Sequence, residues 1–471
     1  MIMGAPAFDG LSFGDRRLSR RWCSTAAAME RHPDWSLPKA VGTDAAAEAA
    51  YRLLGNPAVR HPEVVEHLGD VAWRNAKGAA QVLAIHDTSQ FSFDGTKTRS
   101  GLGEFSKTRQ GFFGHFALLA AAEGVVRPYG VAGFDAYTVR EGRWYRDVAD
   151  GEEQDLGLGS ERWSSLALAV EHQKPDDIDL IHVMDREGDF FELMAELSGV
   201  GASFVIRAAH NRAIVEDSKR IQAMLASQPV VVQRELPVPA RQAVKSGPPR
   251  SRRQNGGQVA RIAMLEVRFA QVTLKVPKDS QVTSREPLAV WVVDVVETSP
   301  PDGVDGVHWR ILTNVPVSGA DAALAVVDIY RRRWLIEEFF KALKTGCAFE
   351  KRQLESRTTL LNLLVMLLPI ATGLLNLRAV ARQAENAPAS QVINDVQLAI
   401  LKQNYSKILG ARPTARTVML AVASLGGHLK RNGAPGWQSL GHGWQVLRAM
   451  EIGWQAAMAA MMGGNSRGSK M

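Results

Sequence analysis

The sequence predicts an α/β core held between helical ends. Three observations carry that prediction: helical patterning fills residues 1 to about 70; short apolar runs and helical segments then follow in the order strand, strand, strand, helix, strand, helix, strand; and helical patterning returns at about Ala320 and continues almost to the C-terminus.

Each element has its own justification. Residues 1 to about 70 read as helical and basic, with Arg16, Arg17, Arg20 and Arg21 spaced to share one side of a helix that can follow a phosphate backbone. A solvated basic face gives the same spacing. Val82 to Ile85 reads as a buried strand ending at His86-Asp87, and Phe112 to Ala122 with Val125 to Val131 as two strands turning at Glu123-Gly124. Ser160 to His172 has helical spacing. Leu180 to Met184 is a second buried strand that ends on an acid, Asp185, and a helix near Phe190 to Leu197 leads to a strand at Phe204 to Ile206. Between Arg207 and Val307 the runs Val230 to Leu236, Ile262 to Val276 and Leu288 to Val296 are β-rich. A polar stretch from Lys245 to Gly257, with Pro248-Pro249, Gly256-Gly257, Arg250, Arg252 and Arg253, reads as an exposed loop. The final helices break near Ala387-Pro388 and Arg412-Pro413, and Gly463 to Met471 reads as a floppy tail.

Composition narrows the classes. A chain of 471 residues with 46% hydrophobic and 22% charged residues is globular, not disordered, and long enough for several cores. With Cys23 and Cys347 alone there is no disulfide framework and no structural zinc site, which suits a reducing cytosol. A formal charge of +7 and a pI of about 9.4 favour a polyanionic partner. The first nine residues lack a basic segment followed by an apolar run, so no secretory signal is expected. Leu360 to Leu377 reaches the length of a short membrane span, but Asn362, Pro369, Gly373 and Asn376 interrupt it, and a buried helix is the expected outcome. There is no internal repeat, no Walker A loop and no Gly-x-Gly-x-x-Gly between a strand and a helix.

The chemistry concentrates in three places. Asp87 and Asp185 each close a predicted strand, a rigid place from which to present a metal ligand, although an Asp there also serves as a turn or N-cap residue. In the helix from Ile329 to Lys344, Tyr330, Arg333, Glu337, Lys341 and Lys344 fall within a narrow arc beside an apolar stripe of Ile329, Ile336, Phe340 and Leu343. An ordinary amphipathic helix shares that periodicity; a face of Tyr, cations and one acid also suits phosphate handling, with Glu337 binding metal and Arg333 and Lys344 holding phosphates. Three carboxylates can hold two Mg²⁺ ions ~3.5–4 Å apart and stabilise the attacking and leaving oxygens of a phosphodiester displacement. Oxygen ligands select hard ions and argue against zinc. His86 and His115 are read as structural.

Asp87 in Ala-Ile-His-Asp-Thr-Ser, Asp185 in Val-Met-Asp-Arg-Glu-Gly-Asp, and Tyr330-x-x-Arg333-x-x-x-Glu337-x-x-x-x-x-x-Lys344 resemble the DDE transposases of bacterial insertion sequences that carry a Tyr-Arg-Glu-Lys signature, above all those of kanamycin-resistance composite transposons. Phe13 to Arg17 and Glu48 to Arg52 resemble the end-binding domain of that family, and Leu425 to Gly427 with Trp437 and Trp444 its dimerisation region.

The resemblance implies a ribonuclease H-like, retroviral-integrase-like catalytic core at 73–378 with a β-rich insertion at about 208–313. It implies an N-terminal helical DNA-binding domain at 1–72 and a C-terminal helical dimerisation domain at 379–471. Asp87, Asp185 and Glu337 would be the catalytic and metal-binding acids, holding two Mg²⁺ ions for which Mn²⁺ substitutes. Tyr330, Arg333, Lys344 and Arg207 would hold DNA near the scissile phosphate, Trp309 would stack a flipped base, and Arg16, Arg17 and Arg52 would serve end binding. For Trp309 the residues alone suggest a β-core aromatic. The implied partners are double-stranded DNA, as terminal repeats and target, and a second copy of the chain in a synaptic dimer, with no membrane; the implied place is the cytoplasm, at the nucleoid. Two alternatives remain: a catalytically inactive DNA-binding relative that represses or titrates transposition, and a metal nuclease without strand transfer.

Overall fold

Asp15 starts the first helix by accepting the Arg17 amide at 2.6 Å, and α1 runs over Arg16–Arg31. Three more helices follow: α2 (Leu37–Val41), α3 (Asp44–Leu54), capped by Thr43, and α4 (His61–Ala76). This computed structural model describes every residue except 1, 96–97, 148–152, 158, 217–218, 240–258, 279, 281–285 and 466–471. The polar stretch Lys245 to Gly257 therefore lies outside the described residues.

The strands and helices after α4 come in chain order. First are β1 (Gln81–Asp94), β2 (Gly103–Ser106), β3 (Arg109–Ala121), β4 (Pro128–Arg140), β5 (Arg143–Asp147) and β6 (Glu153–Asp155). Then come α5 (Glu161–Gln173), β7 (Asp179–Met184), α6 (Phe191–Gly199), β8 (Ser203–Arg207) and α7 (Ile221–Ala226). The β-rich segment supplies β9 (Val232–Val238), β10 (Arg261–Leu274), β11 (Leu288–Glu297) and β12 (His308–Thr313). The helical end holds α8 (Ala320–Arg331), α9 (Trp334–Lys341), α10 (Arg357–Gln383), α11 (Asp395–Leu409), α12 (Ala415–Leu425) and α13 (Trp437–Asn465). Because α13 extends to Asn465, Gly463 to Asn465 are helical, and the rest of the expected tail, 466–471, lies outside the described residues.

The chain divides into two compact units, one of residues 1–162, 172–179 and 334–471 and the other of residues 163–171 and 180–333. In the first, β1 pairs antiparallel with β3, and β3 with β4. Its long helix α10 meets the length and composition of a membrane span, yet 94% of the apolar window is buried inside the protein. Polar groups on the buried helix find partners for their donors: the Asn362 amide donates to the carbonyls of Leu54 and Val59 at 2.8 and 2.9 Å, and Thr372 Oγ1 donates to Leu368 O at 2.9 Å. Leu377 and Val380 continue into a core with Ile400, Val418, Val422, Leu440 and Leu447 from α11, α12 and α13.

In the second unit β7 and β8 run parallel, and β12, β11, β10 and β9 extend the ladder from β8 by antiparallel pairing. The strands of the β-rich segment thus continue the ladder of β8 and do not form a sheet of their own. One face is sealed by Met184, Phe191, Met194, Phe204, Val272 and Leu312 in a common core.

Candidate functional site

The sequence places Asp87 at the end of a strand; in the structure β1 continues seven residues further, to Asp94. The polar run Thr88-Ser-Gln90 resembles a stop, but Phe91 and Phe93 alternate inward and the ladder to β3 holds throughout. Asp87 stands directly opposite Phe116, and residues directly opposed in an antiparallel pair share a face. Phe91, Phe93 and Phe116 therefore mark the face of Asp87. Phe116 meets the rings of Phe339 and Phe340 at 6.0 and 5.5 Å, and Phe91 and Phe93 meet Phe349 at 5.3 and 5.6 Å. Helix α9, which carries Glu337, is packed on that face. The Asp87 carboxylate accepts the Thr88 amide at 2.8 Å.

Lys344 belongs to the same neighbourhood. Its ammonium donates to Gln90 O at 2.6 Å, lies 3.8 Å from the Glu350 carboxylate and sits 5.1 Å from the centre of the Phe91 ring. Burial pulls its pKa below the usual lysine range, and Glu350 opposes that shift. Glu350 also accepts the Ser92 amide at 2.9 Å, so it fixes the distal half of β1. Neither its type nor its spacing marks it in the sequence.

The single helix expected from Ile329 to Lys344 is two helices. Turn residues Arg332 and Arg333 separate α8 from α9, with the Arg333 amide donating to Tyr330 O at 3.0 Å, and Ala342–Gly346 forms a π turn. The expected continuous helix is therefore interrupted between Tyr330 and Glu337. Tyr330 and Arg333 are also buried, at 3% and 7% exposure, so they do not form an open polar face. Lys341 pairs with Glu338 at 2.6 Å.

In the second unit Asp185 follows β7 directly and opens a 3-10 turn, Arg186–Gly188, by accepting the Glu187 amide at 2.8 Å. Gly188 is required there, since a Cβ would come within 2.8 Å of the Met184 Cβ. Arg207, Tyr330 and Asp185 each lie close enough to Arg186 to act on its charge. Partial burial, then the Arg207 charge, pulls the Arg186 guanidinium below its usual range, and Tyr330 and Asp185 oppose that shift. Arg207 stands opposite Ile311 and donates to His308 O at 2.9 Å. Trp309 is of intermediate burial, and its ring meets Tyr330 edge-on with centroids 5.8 Å apart. Arg186 was not singled out from the sequence, although it directly follows the second Asp.

The N-terminal arginines divide differently. Arg16, Arg17, Arg20 and Arg21 are all exposed, while Trp22, Ala26 and Met29 bury the opposite side of α1. Arg52 is exposed and engages Glu48 one turn earlier on α3. The region is not basic in total: the first 72 residues hold eight Lys and Arg against nine Asp and Glu. His115 is fully buried, bonded to Thr88 at 2.9 Å, and held neutral by burial, and His86 is buried beside it.

Asp87, Asp185 and Glu337 are each partly exposed and offer only oxygen donors, which fits a hard divalent cation. Among the described residues, no cluster of three or more His, Cys, Asp or Glu side chains is already gathered as a metal site. With that geometry in place, two family models match the chain: that of the transposase DNA-binding domain over residues 5–59, and that of the transposase DDE domain over residues 182–371. A DDE domain implies a ribonuclease H-like fold, and the mixed sheet with flanking helices agrees with it. Arg16, Arg17 and Arg52 fall within the first match; Asp185, Arg207, Trp309, Tyr330, Arg333, Glu337 and Lys344 fall within the second, and Asp87 lies before it.

Proposed function

From the premise that this chain carries the DNA-binding and DDE domains of a DNA transposase, we propose that it catalyses cut-and-paste transposition of an insertion sequence. The observation that carries the reading is the convergence, inside the matched DDE domain, of a carboxylate at a strand end with Arg186, Arg207, Tyr330 and Trp309. One acid among cations and an aromatic pair suits a DNA strand: the cations take phosphate charge, and a partly exposed indole offers a surface to a base.

In this reading Asp87, Asp185 and Glu337 would hold two divalent cations, Mg²⁺ or Mn²⁺ in its place. Bound there, the cations would lower the pKa of an attacking oxygen and offset charge on the leaving one. The chain's own residues bind and orient. Arg207, Tyr330, Arg333 and Lys344 fix the phosphates flanking the scissile bond, Trp309 receives an unstacked base as the hairpin forms, and the exposed arginines of α1 with Arg52 grip the terminal repeat. The reaction order is hydrolysis at the transposon end, attack of the freed 3′-OH on the opposite strand, reopening of the hairpin and joining to target DNA. The domains are 1–72 for end binding, 73–378 for catalysis and 379–471 for dimerisation, and the protein acts in the cytoplasm, at the nucleoid. An exposed stripe on α13, Met450, Trp454, Met458 and Met461, repeats at helical spacing and supports pairing of two copies in the synaptic complex.

The test is incubation of the purified protein with Mg²⁺ and a supercoiled plasmid bearing the element's native flanking ends, beside Glu337→Ala. Excised or hairpinned products from the unmodified chain alone are expected. Bound but uncut ends in both would overturn the reading in favour of an inactive, repressing relative, and breaks without joined products would leave a plain nuclease.

A further inference from the structure

A carboxylate that the proposed chemistry does not use lies at the far end of the turn opened by Asp185. Asp189 is 2% exposed, and a buried charge is costly unless it is paired and fully hydrogen-bonded. Here it is. One oxygen accepts the amides of Ala209 and His210 at 2.7 and 2.9 Å, and the other accepts Arg212 Nε at 2.8 Å and lies 2.7 Å from its Nη2. The Asp189 amide in turn donates to Arg186 O at 3.3 Å. All of these partners belong to two short segments, the turn that starts at Asp185 and the exit of β8 immediately after Arg207. The Ala208 amide closes onto Arg310 O at 2.7 Å, so the exit is held on both sides.

We propose that Asp189 is a positioning residue that locks the Asp185 turn to the end of β8 and thereby holds Arg207 where it meets a DNA phosphate. The inference rests on the reading of Arg207 as a phosphate contact. Removing the carboxylate releases two backbone amides and one guanidinium next to Arg207, and a displacement of about 1 Å at a site of this kind costs up to ~100-fold in rate. A merely structural carboxylate would lower stability without changing how many phosphates are held.

The readout is therefore the salt dependence of binding. Full-length Asp189→Ala, Arg207→Ala and the double variant are titrated with a duplex carrying the native flanking end between ~50 and ~200 mM salt, where each lost phosphate contact lowers the slope of log affinity on log salt by about 0.9. Each single variant is expected to lose about one contact, the double variant to lose no more, and cleavage at saturating DNA to fall by ~100-fold in Asp189→Ala. Should Asp189→Ala fail to fold, Asp189→Asn decides, since it retains an acceptor for the amides but sets an NH₂ against Arg212. A folded Asp189 variant with the parental slope, beside an Arg207→Ala that has lost a contact, overturns the inference and spares the phosphate reading. An unchanged slope in Arg207→Ala itself overturns both.

Discussion

The surroundings of Asp87 and Asp185 differ in kind. Asp87 stands in the middle of a strand, on a face built of phenylalanines, and Lys344 is the cation bound to its strand, three residues along at Gln90 O. Asp185 stands just past the end of a strand, in a turn, beside Arg186 and Arg207. One carboxylate is placed by ladder register and aromatic packing, the other by a backbone cap amid positive charge. If the two carboxylates share the proposed metal-binding role, they reach it by different means of presentation, and the two should fail in different ways when perturbed.

The largest effect should come from the carboxylates themselves. Asp87→Asn and Asp185→Asn should each lower end cleavage by roughly 1000-fold, which corresponds to a loss of about 4 kcal/mol. In mobility shifts Asp185→Asn should bind end DNA at or above the parental affinity, because a negative charge leaves a cationic neighbourhood, whereas Asp87→Asn should bind as the parent does. Retained cleavage in either variant would remove that residue from the metal-binding set. Next comes Phe116→Ala, which empties the ring site opposite Asp87 and should cost ~3–5 kcal/mol in denaturant unfolding. A loss well below that range would mean that packing does not present Asp87. Smaller still is the contrast between the cations: Lys344→Ala, whose ammonium is held by Gln90 O and Glu350, should change the salt slope of DNA binding less than Arg207→Ala does. Equal changes would erase the distinction between the two neighbourhoods.

The smallest effect on cleavage is expected at His61, whose ring meets Phe134 at 6.2 Å. Burial, aided by Arg357 and Arg60, pulls the pKa of His61 from 6.5 down to about 4. Below pH 6.5 the unfolded chain takes up a proton that the folded chain refuses, so stability falls as the pH drops from about 6.5 to about 4 and is level above that window. In His61→Gln, thermal unfolding measured across that range should depend less on pH, with cleavage at neutral pH unchanged.

Much of this architecture was legible from periodicity. Apolar runs located β7, β8, β10 and β11, Pro and Gly marked the breaks between the C-terminal helices, and Asp185 was placed correctly at its strand end. Where reading failed, long-range pairing was the cause. Thr88 to Gln90 look like a strand terminus until β3 supplies thirteen consecutive partners to β1. The break at Arg332 and Arg333 contains neither Gly nor Pro, so no local signal announces it. Strands as short as β2 and β6, of four and three residues, carry too little pattern to be seen. Arg186 and Glu350 gain meaning only from neighbours distant in sequence. The apparent basicity of the N-terminus came from one helix face; a count over the whole segment removes it.

The amide of Asn362 reaches from the middle of α10 to the carbonyls that end α3 and precede α4, and the Gly4 amide donates to Pro369 O at 3.2 Å on the same helix. The segment matched as DNA-binding is thus not a detachable cartridge. Transplanted onto another protein, residues 5–59 would leave behind the helix that satisfies two of their carbonyls, and exchanging ends between relatives to retarget recognition would have to carry the facing turns of α10 along with the reading head.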